Sequence, residues 1–193
     1  MKGFTRARKA EADAAYGNLD PRTASGPKLC DIRDEMTAKG YEYLPHPADA
    51  KFRAWGKTFE EAVRNSARAL AGLMWDCREV EATEDIPVEI EGRDREQLLV
   101  KFLSEILYLL DARGFLLCSI DDLTIEQGRG ITKIGTGPAD GEAPGYRIRA
   151  ILRGGDVSSG AEIFGSVKAV TYSELKIERA DAGQWTVEVV VDA

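Results

Sequence analysis

Asp49 and Asp192 are the two residues whose types and places could do chemistry together. Asp49 follows a proline-flanked turn, Pro45-His46-Pro47, at the mouth of a strand. Asp192 is the penultimate residue of the last strand, with the free carboxylate of Ala193 beside it. Side chains of an extended strand alternate between faces, so Trp185, Val187, Val189 and Val191 share one side and Thr186, Glu188, Val190 and Asp192 the other. If folding makes the two strand ends neighbours, three carboxylates converge. In a partly buried site they would repel by on the order of several kcal/mol unless a hard divalent cation of the Ca²⁺ or Mg²⁺/Mn²⁺ type sat among them. The plainer alternative is an Asp49 that caps its turn and an Asp192 that is a solvated chain end. His46 reads either as a packed, hydrogen-bonded structural residue or as a partner that orients Asp49. Lys168 reads either as a rim charge whose stem packs on apolar neighbours or as a partner for phosphate or carboxylate.

Other chemistries are excluded by what the chain lacks. Gly56-Lys57-Thr58 imitates the end of a phosphate-binding loop, but that loop needs a glycine five residues earlier, and position 51 is Lys. It reads as a turn glycine followed by a helix cap. Gly135-Thr136-Gly137 runs into Pro138 and has neither the third glycine nor the ensuing helix of a dinucleotide site. A Ser-His-Asp hydrolase would have to use His46, the only imidazole, and no GxSxG elbow exposes a serine. A single histidine also rules out any metal centre built from several imidazoles, so a bound metal would have oxygen ligands. Cys30, Cys77 and Cys118 are widely separated and form no CxxC pair. An odd number of cysteines without a secretory leader points to a reducing cytoplasm.

Composition narrows the class further. The 193 residues carry 33 Asp and Glu against 26 Lys and Arg, for a formal charge of −7, and 44% are hydrophobic. That suits one domain able to build its own core. The acidic balance opposes non-specific adhesion to a phosphate backbone, because such affinity comes from cations that release counterions. Contact with RNA is therefore expected to be indirect. The apolar runs 98–103 and 106–110 are far too short to span a bilayer, so no membrane association is expected.

The elements that must position these residues follow from periodicity. Residues 1–40 begin basic, continue through the turn-rich YGNLDPRTASGP, and read as a weakly ordered N-terminal extension. The folded domain is expected over 41–193. YEYL (41–44) and KFRAW (51–55) alternate as strands, the second sending Phe52 and Ala54 one way and Lys51, Arg53 and Trp55 the other. Thr58 with Glu61 has capping-box spacing and opens an amphipathic helix that ends near Trp75. IPVEIE (86–91) is a half-buried strand. Asp94 with Gln97 starts a second helix, and Gly114 suits its left-handed C-cap. Strands are then predicted at 123–127, 131–135, 146–153, 167–178 and 185–192, with loops over 135–145 and 154–165. Two amphipathic helices among consecutive strands predict an α+β fold with a largely antiparallel β-sheet.

Four segments, in order, resemble the archease family: YEYLPHPADAKFRAWGKTFEEAV (41–63), LLVKFLSEILYLLDARGFL (98–116), VKAVTYSEL (167–175) and VVVDA (189–193). The resemblance spans 41–193. It implies a small α+β protein that is not itself an enzyme but a cofactor of the RtcB-type RNA ligase. In that role it would promote the ligase's guanylation and multiple turnover in tRNA splicing, touching RNA only through the ligase. It also implies a divalent ion held by the Asp of the opening motif and by the C-terminal Asp and its neighbour, which are Asp49, Asp192 and Ala193 here. Lys168 is a further functional position on the same ground. Pro47 stands where the family usually has Thr, and Ser173 where a His is common. Two rival functions remain open at this point. One is a metal-dependent phosphohydrolase using the same two aspartates, and the other is a chaperone or interaction module with a structural metal.

Overall fold

A computed structural model describes residues 40–47, 49–128, 145–180 and 183–193. The proposed extension over 1–40 lies outside the described residues except for Gly40. So do Cys30, the strand expected at 131–135 and the loop after it as far as residue 144.

The first sheet is built around the chain's last strand. β1 (Tyr41–Leu44) pairs antiparallel with β2 (Ala50–Gly56), setting Tyr43 against Phe52. Two short strands, β6 (Ala169–Val170) and β7 (Lys176–Arg179), take one edge of β8 (Trp185–Asp192), and β2 takes the other. Alternation decides which side each residue faces. Phe52, Ala54, Val187, Val189 and Val191 are buried, while Glu42, Arg53, Glu188 and Lys176 form one rung of alternating charge on the opposite face. Opposite charges meet at every step of that rung, which adds to the register set by the apolar side.

The second sheet runs β3 (Glu84–Gly92), β5 (Gly145–Asp156), β4 (Phe115–Gly128), all antiparallel. Ile86, Ile148 and Leu152 turn inward. Arg149 and Arg153 on the outer face bond Glu89 and Asp85 at 2.8 Å. Gly154 is required where these strands meet, because a Cβ there would lie 2.1 Å from the Leu116 carbonyl oxygen.

Both helices contact both sheets. In α1 (Phe59–Gly72), Thr58 Oγ1 accepts the Glu61 N–H at 3.2 Å, and in α2 (Arg95–Arg113), Asp94 Oδ1 accepts that of Gln97 at 2.7 Å. Gly114 closes α2 at φ 65°, a conformation that costs glycine nothing. α1 packs on β2 and β8 and touches β4, while α2 packs on β3, β4 and β5 and reaches β6 and β7. This double contact explains why α2 buries Leu98, Leu99, Phe102, Leu103, Ile106 and Leu107 around so much of its girth. Each such side chain contributes about 1.5–3 kcal/mol on burial. No helix among the described residues is long and apolar enough to cross a membrane.

Four stretches differ from expectation. The first helix stops at Gly72, since the Leu73 and Met74 N–H groups turn to carbonyls three residues back and Trp75 leaves to bridge Ile163 and donate its indole N–H to the Leu117 carbonyl at 2.9 Å. β4 begins at Phe115 rather than 123. Phe115, Leu116 and Leu117 are buried in succession, so no alternation announces the strand, and bulges around Cys118 and Asp122 blur the rest. The single strand expected at 167–178 is two. Thr171 Oγ1 donates to the Val190 carbonyl at 3.0 Å and accepts the Ser173 N–H at 3.2 Å, and Glu174 sits at φ 50°. The chain turns there. In addition, 154–156 continue β5, and a short 3-10 turn, Val157–Ser159, follows.

Candidate functional site

β2 and β8 carry the two aspartates to one corner. Their register runs from Gly56 opposite Trp185 to Ala50 opposite Val191. Asp49 comes one residue before β2 and Asp192 ends β8, so both stand at this end of the strand pair. On the other side of β8, Ala169 stands opposite Asp192, and the Lys168 N–H donates to the Asp192 carbonyl oxygen at 2.8 Å. The tail of the domain thus returns beside the bend between β1 and β2, flanked by the start of β6.

The bend is ordered by His46. Its Nδ1 accepts the Asp49 backbone N–H at 3.2 Å and lies 3.9 Å from Asp49 Oδ2. An accepting Nδ1 places the proton of the neutral ring on Nε2, which faces Glu174 Oε1 at 4.0 Å. His46 therefore holds the backbone that presents Asp49.

Lys168 is exposed, and its ammonium donates to the main-chain oxygen of Ala193 at 3.2 Å and lies 3.9 Å from Asp192 Oδ1. Both its sequence readings, a rim charge and a carboxylate partner, fit these contacts. Asp49 and Asp192 are 38% and 54% exposed, so water reaches both. Among the described residues no group of three or more His, Cys, Asp or Glu side chains is arranged to hold a metal. The oxygens available at this corner are two side-chain carboxylates and the main chain at Ala193. That donor set is chemically suited to a hard cation and unsuited to a soft one.

Behind the corner runs an ion-pair relay that sequence reading missed. Lys51 Nζ bonds Glu174 Oε2 at 2.9 Å and lies 3.2 Å from Glu188 Oε2. Arg53 grips Glu188 Oε1 at 2.6 Å and Glu42 Oε1 at 3.0 Å. Burial alone would raise the Glu188 carboxyl, but hydrogen bonds from Arg53 and Lys51 outweigh it and hold the group below the ordinary carboxylate range. The Lys51 bond likewise lowers Glu174, and the two glutamates raise Lys51. The alternation of Lys51 and Arg53 was the available signal. What hid the relay was the unread turn that brings Glu174 over β2.

The remaining candidates take their quieter readings. Gly56 and Thr58 serve the turn and cap of α1, since a Cβ on Gly56 would sit 2.6 Å from the Ala62 nitrogen. Cys77 and Cys118 are neighbours, the Cys118 thiol donating to the Cys77 carbonyl at 3.4 Å. Burial and the adjacent Cys118 push the Cys77 thiol up to about 11, so it stays protonated at neutral pH and is no nucleophile.

Residues 41–193 match the model of the Archease protein family (MTH1598/TM1083). A protein archease of Methanosarcina mazei is 35% identical over 157 residues, covering 80% of this chain and 96% of that protein. One from Pyrobaculum neutrophilum is 38% identical over 154 residues, covering 79% and 94%. Among solved structures, the solution structure of Methanobacterium thermoautotrophicum protein 1598 superposes with a TM-score of 0.61 at 28% identity, covering 80% of this chain and 99% of that one. These relatives are named for a protein rather than for a reaction.

Proposed function

The chain belongs to the archease family, and we propose that it serves an RtcB-type RNA-splicing ligase as a protein cofactor rather than as an enzyme, holding a divalent cation with Asp49, Asp192 and the carboxylate at Ala193. The observation that carries this reading is the β2–β8 register, which brings the start of one strand and the end of the other to the same corner.

Each residue there has a definite part. His46 fixes the Asp49 backbone, and β6 holds Asp192 from the opposite side. Lys168 supplies the positive charge that keeps the carboxylates from repelling one another while no ion is bound. The relay from Glu174 through Lys51 to Glu188 and Arg53 braces the floor of the corner without lending it a free carboxylate. When present, the cation supplies a Lewis-acid charge that can be offered to a nucleotide-loaded partner. The chain's charge of −7 favours encounter with the basic channel of an RNA-handling enzyme, so the ligase, not this chain, would meet the RNA.

The test mixes the purified protein with an RtcB-type ligase, GTP and a divalent metal and follows formation of the ligase-GMP adduct. Wild type should accelerate it, and Asp49→Ala and Asp192→Ala should abolish the gain. An equal gain from both variants, or none from wild type, overturns the proposal.

A further inference from the structure

The described arginines are nearly all engaged. Those of the two outer sheet faces pair with carboxylates across strands, and Arg64 and Arg68 bond a carbonyl and an asparagine. Arg95 and Arg179 stand apart. Among the described residues neither has a carboxylate or hydrogen-bond partner, and both lie against one indole. The Arg95 guanidinium is 5.0 Å from the Trp185 ring centre, 5.1 Å from that of Tyr146 and 5.7 Å from that of Phe59, while Arg179 approaches Trp185 at 5.7 Å. A guanidinium held beside rings rather than by a carboxylate keeps N–H groups available to bond a ligand.

These groups line a cleft of about 320 Å³ where both helices begin. Lys57 and the first turn of α1 form one wall, Arg95 opens α2, and Tyr146 and Trp185 come from the two sheets. Lys57 adds a third cation that has no carboxylate partner among the described residues. Among the described residues Glu60 is the one carboxylate lining the cleft. In a protein with a charge of −7, a concavity whose described lining sets three cations without carboxylate partners against one acid runs against the composition. It lies at the far ends of β2 and β8 from Asp49 and Asp192, more than about 20 Å away at about 3.3 Å per residue.

We propose that this cleft binds a phosphate-bearing ligand of mononucleotide size, the free edges of Arg95 and Arg179 taking the phosphate with Lys57 and the aromatic wall taking the base. A cleft of this volume is larger than inorganic phosphate needs and near the lower limit of small-molecule pockets. Cations interleaved with rings are the chemistry by which nucleotides are held without sequence preference. Such a ligand has two sources, a free nucleotide or the end of a single strand, and the second would add a direct nucleic-acid contact to the indirect one of the proposed function. The site is independent of the cation corner.

The experiment records the indole N–H resonances of Trp55, Trp75 and Trp185 in the full-length ¹⁵N-labelled protein, with Trp185→Phe supplying the assignment. AMP, adenosine and a 5′-phosphorylated hexa-adenylate are titrated separately. AMP should move the Trp185 resonance to saturation and leave the buried Trp75 resonance still, while adenosine should do neither. The double variant Arg95→Gln/Arg179→Gln should raise the half-saturating AMP concentration about tenfold or more, and Lys57→Gln, which lies outside the stack, about threefold. A hexa-adenylate that binds more tightly than AMP identifies a strand end as the source, and one that binds more weakly identifies the free nucleotide. A Trp185 resonance that ignores both phosphates, that moves equally with adenosine, or that titrates unchanged in the double variant overturns the proposal.

Discussion

The ammonium of Lys168 lies 3.2 Å from the main-chain oxygen of Ala193 and 3.9 Å from Oδ1 of Asp192. It stands where a cation gathered by those oxygens would also be drawn, so lysine and metal compete for one negative corner. Lys168→Met should therefore tighten divalent-cation binding. Because the lysine is exposed and its pair is worth at most about 1 kcal/mol, the gain is limited to about fivefold. Calorimetric titration checks it, and weaker binding in the variant would show that the lysine assists the site instead of competing with it.

Glu188 is 11% exposed and pinned by both Arg53 and Lys51. Its folded carboxyl titrates below the unfolded one, so the stability it contributes is fully present above the unfolded value near pH 4.3 and is lost as pH falls through the lower folded value. Glu188→Gln should cost about 1–3 kcal/mol at pH 7 by leaving two cations short of a partner. The difference from wild type should shrink as pH drops below about 4. Urea unfolding at a series of pH values measures it, and a gap that widened toward acid would contradict the assignment.

How much of this was legible in the chain itself can be read from Glu188 and Glu174. Alternation along β8 put Glu188 and Asp192 on one face and Val187, Val189 and Val191 on the other, and the caps at Thr58, Asp94 and Gly114 marked the helices, because each of these signals is local. Glu174 was lost inside a supposed continuous strand, since its turn depends on Thr171 bonding a carbonyl on β8 that no local pattern reveals. The start of β4 was lost because strands buried on both faces do not alternate. Face could be read for Asp192 but neighbourhood could not, because the pairing of β2 with β8 joins residues more than a hundred positions apart.

Phe52 sits fully buried on β2 between Tyr43 of β1 and Val189 of β8. Phe52→Ala should cost about 3–5 kcal/mol through lost burial and the cavity left behind. Denaturant melts measure the loss, and a cost under about 1 kcal/mol would mean that the sheet is not anchored there.

Cys77 should resist alkylation. With its thiol held up at about 11, the thiolate is scarce at neutral pH, and iodoacetamide should label it roughly a hundredfold more slowly than a free thiol of ordinary pKa. Peptide mapping after timed labelling gives the rate. Labelling as fast as a free thiol would contradict the buried environment.

The central claim is that Asp49 and Asp192 grip one ion. Calorimetric titration with Ca²⁺, Mg²⁺ and Mn²⁺ on wild type, Asp49→Asn and Asp192→Asn tests it most directly, alongside melting temperature with and without the metal. One equivalent bound by wild type, a raised melting temperature and the loss of both effects in each variant is the predicted result, because a ligand that binds only the folded state must stabilise it. Binding that survives in either variant, or a wild-type protein indifferent to all three metals, would contradict it.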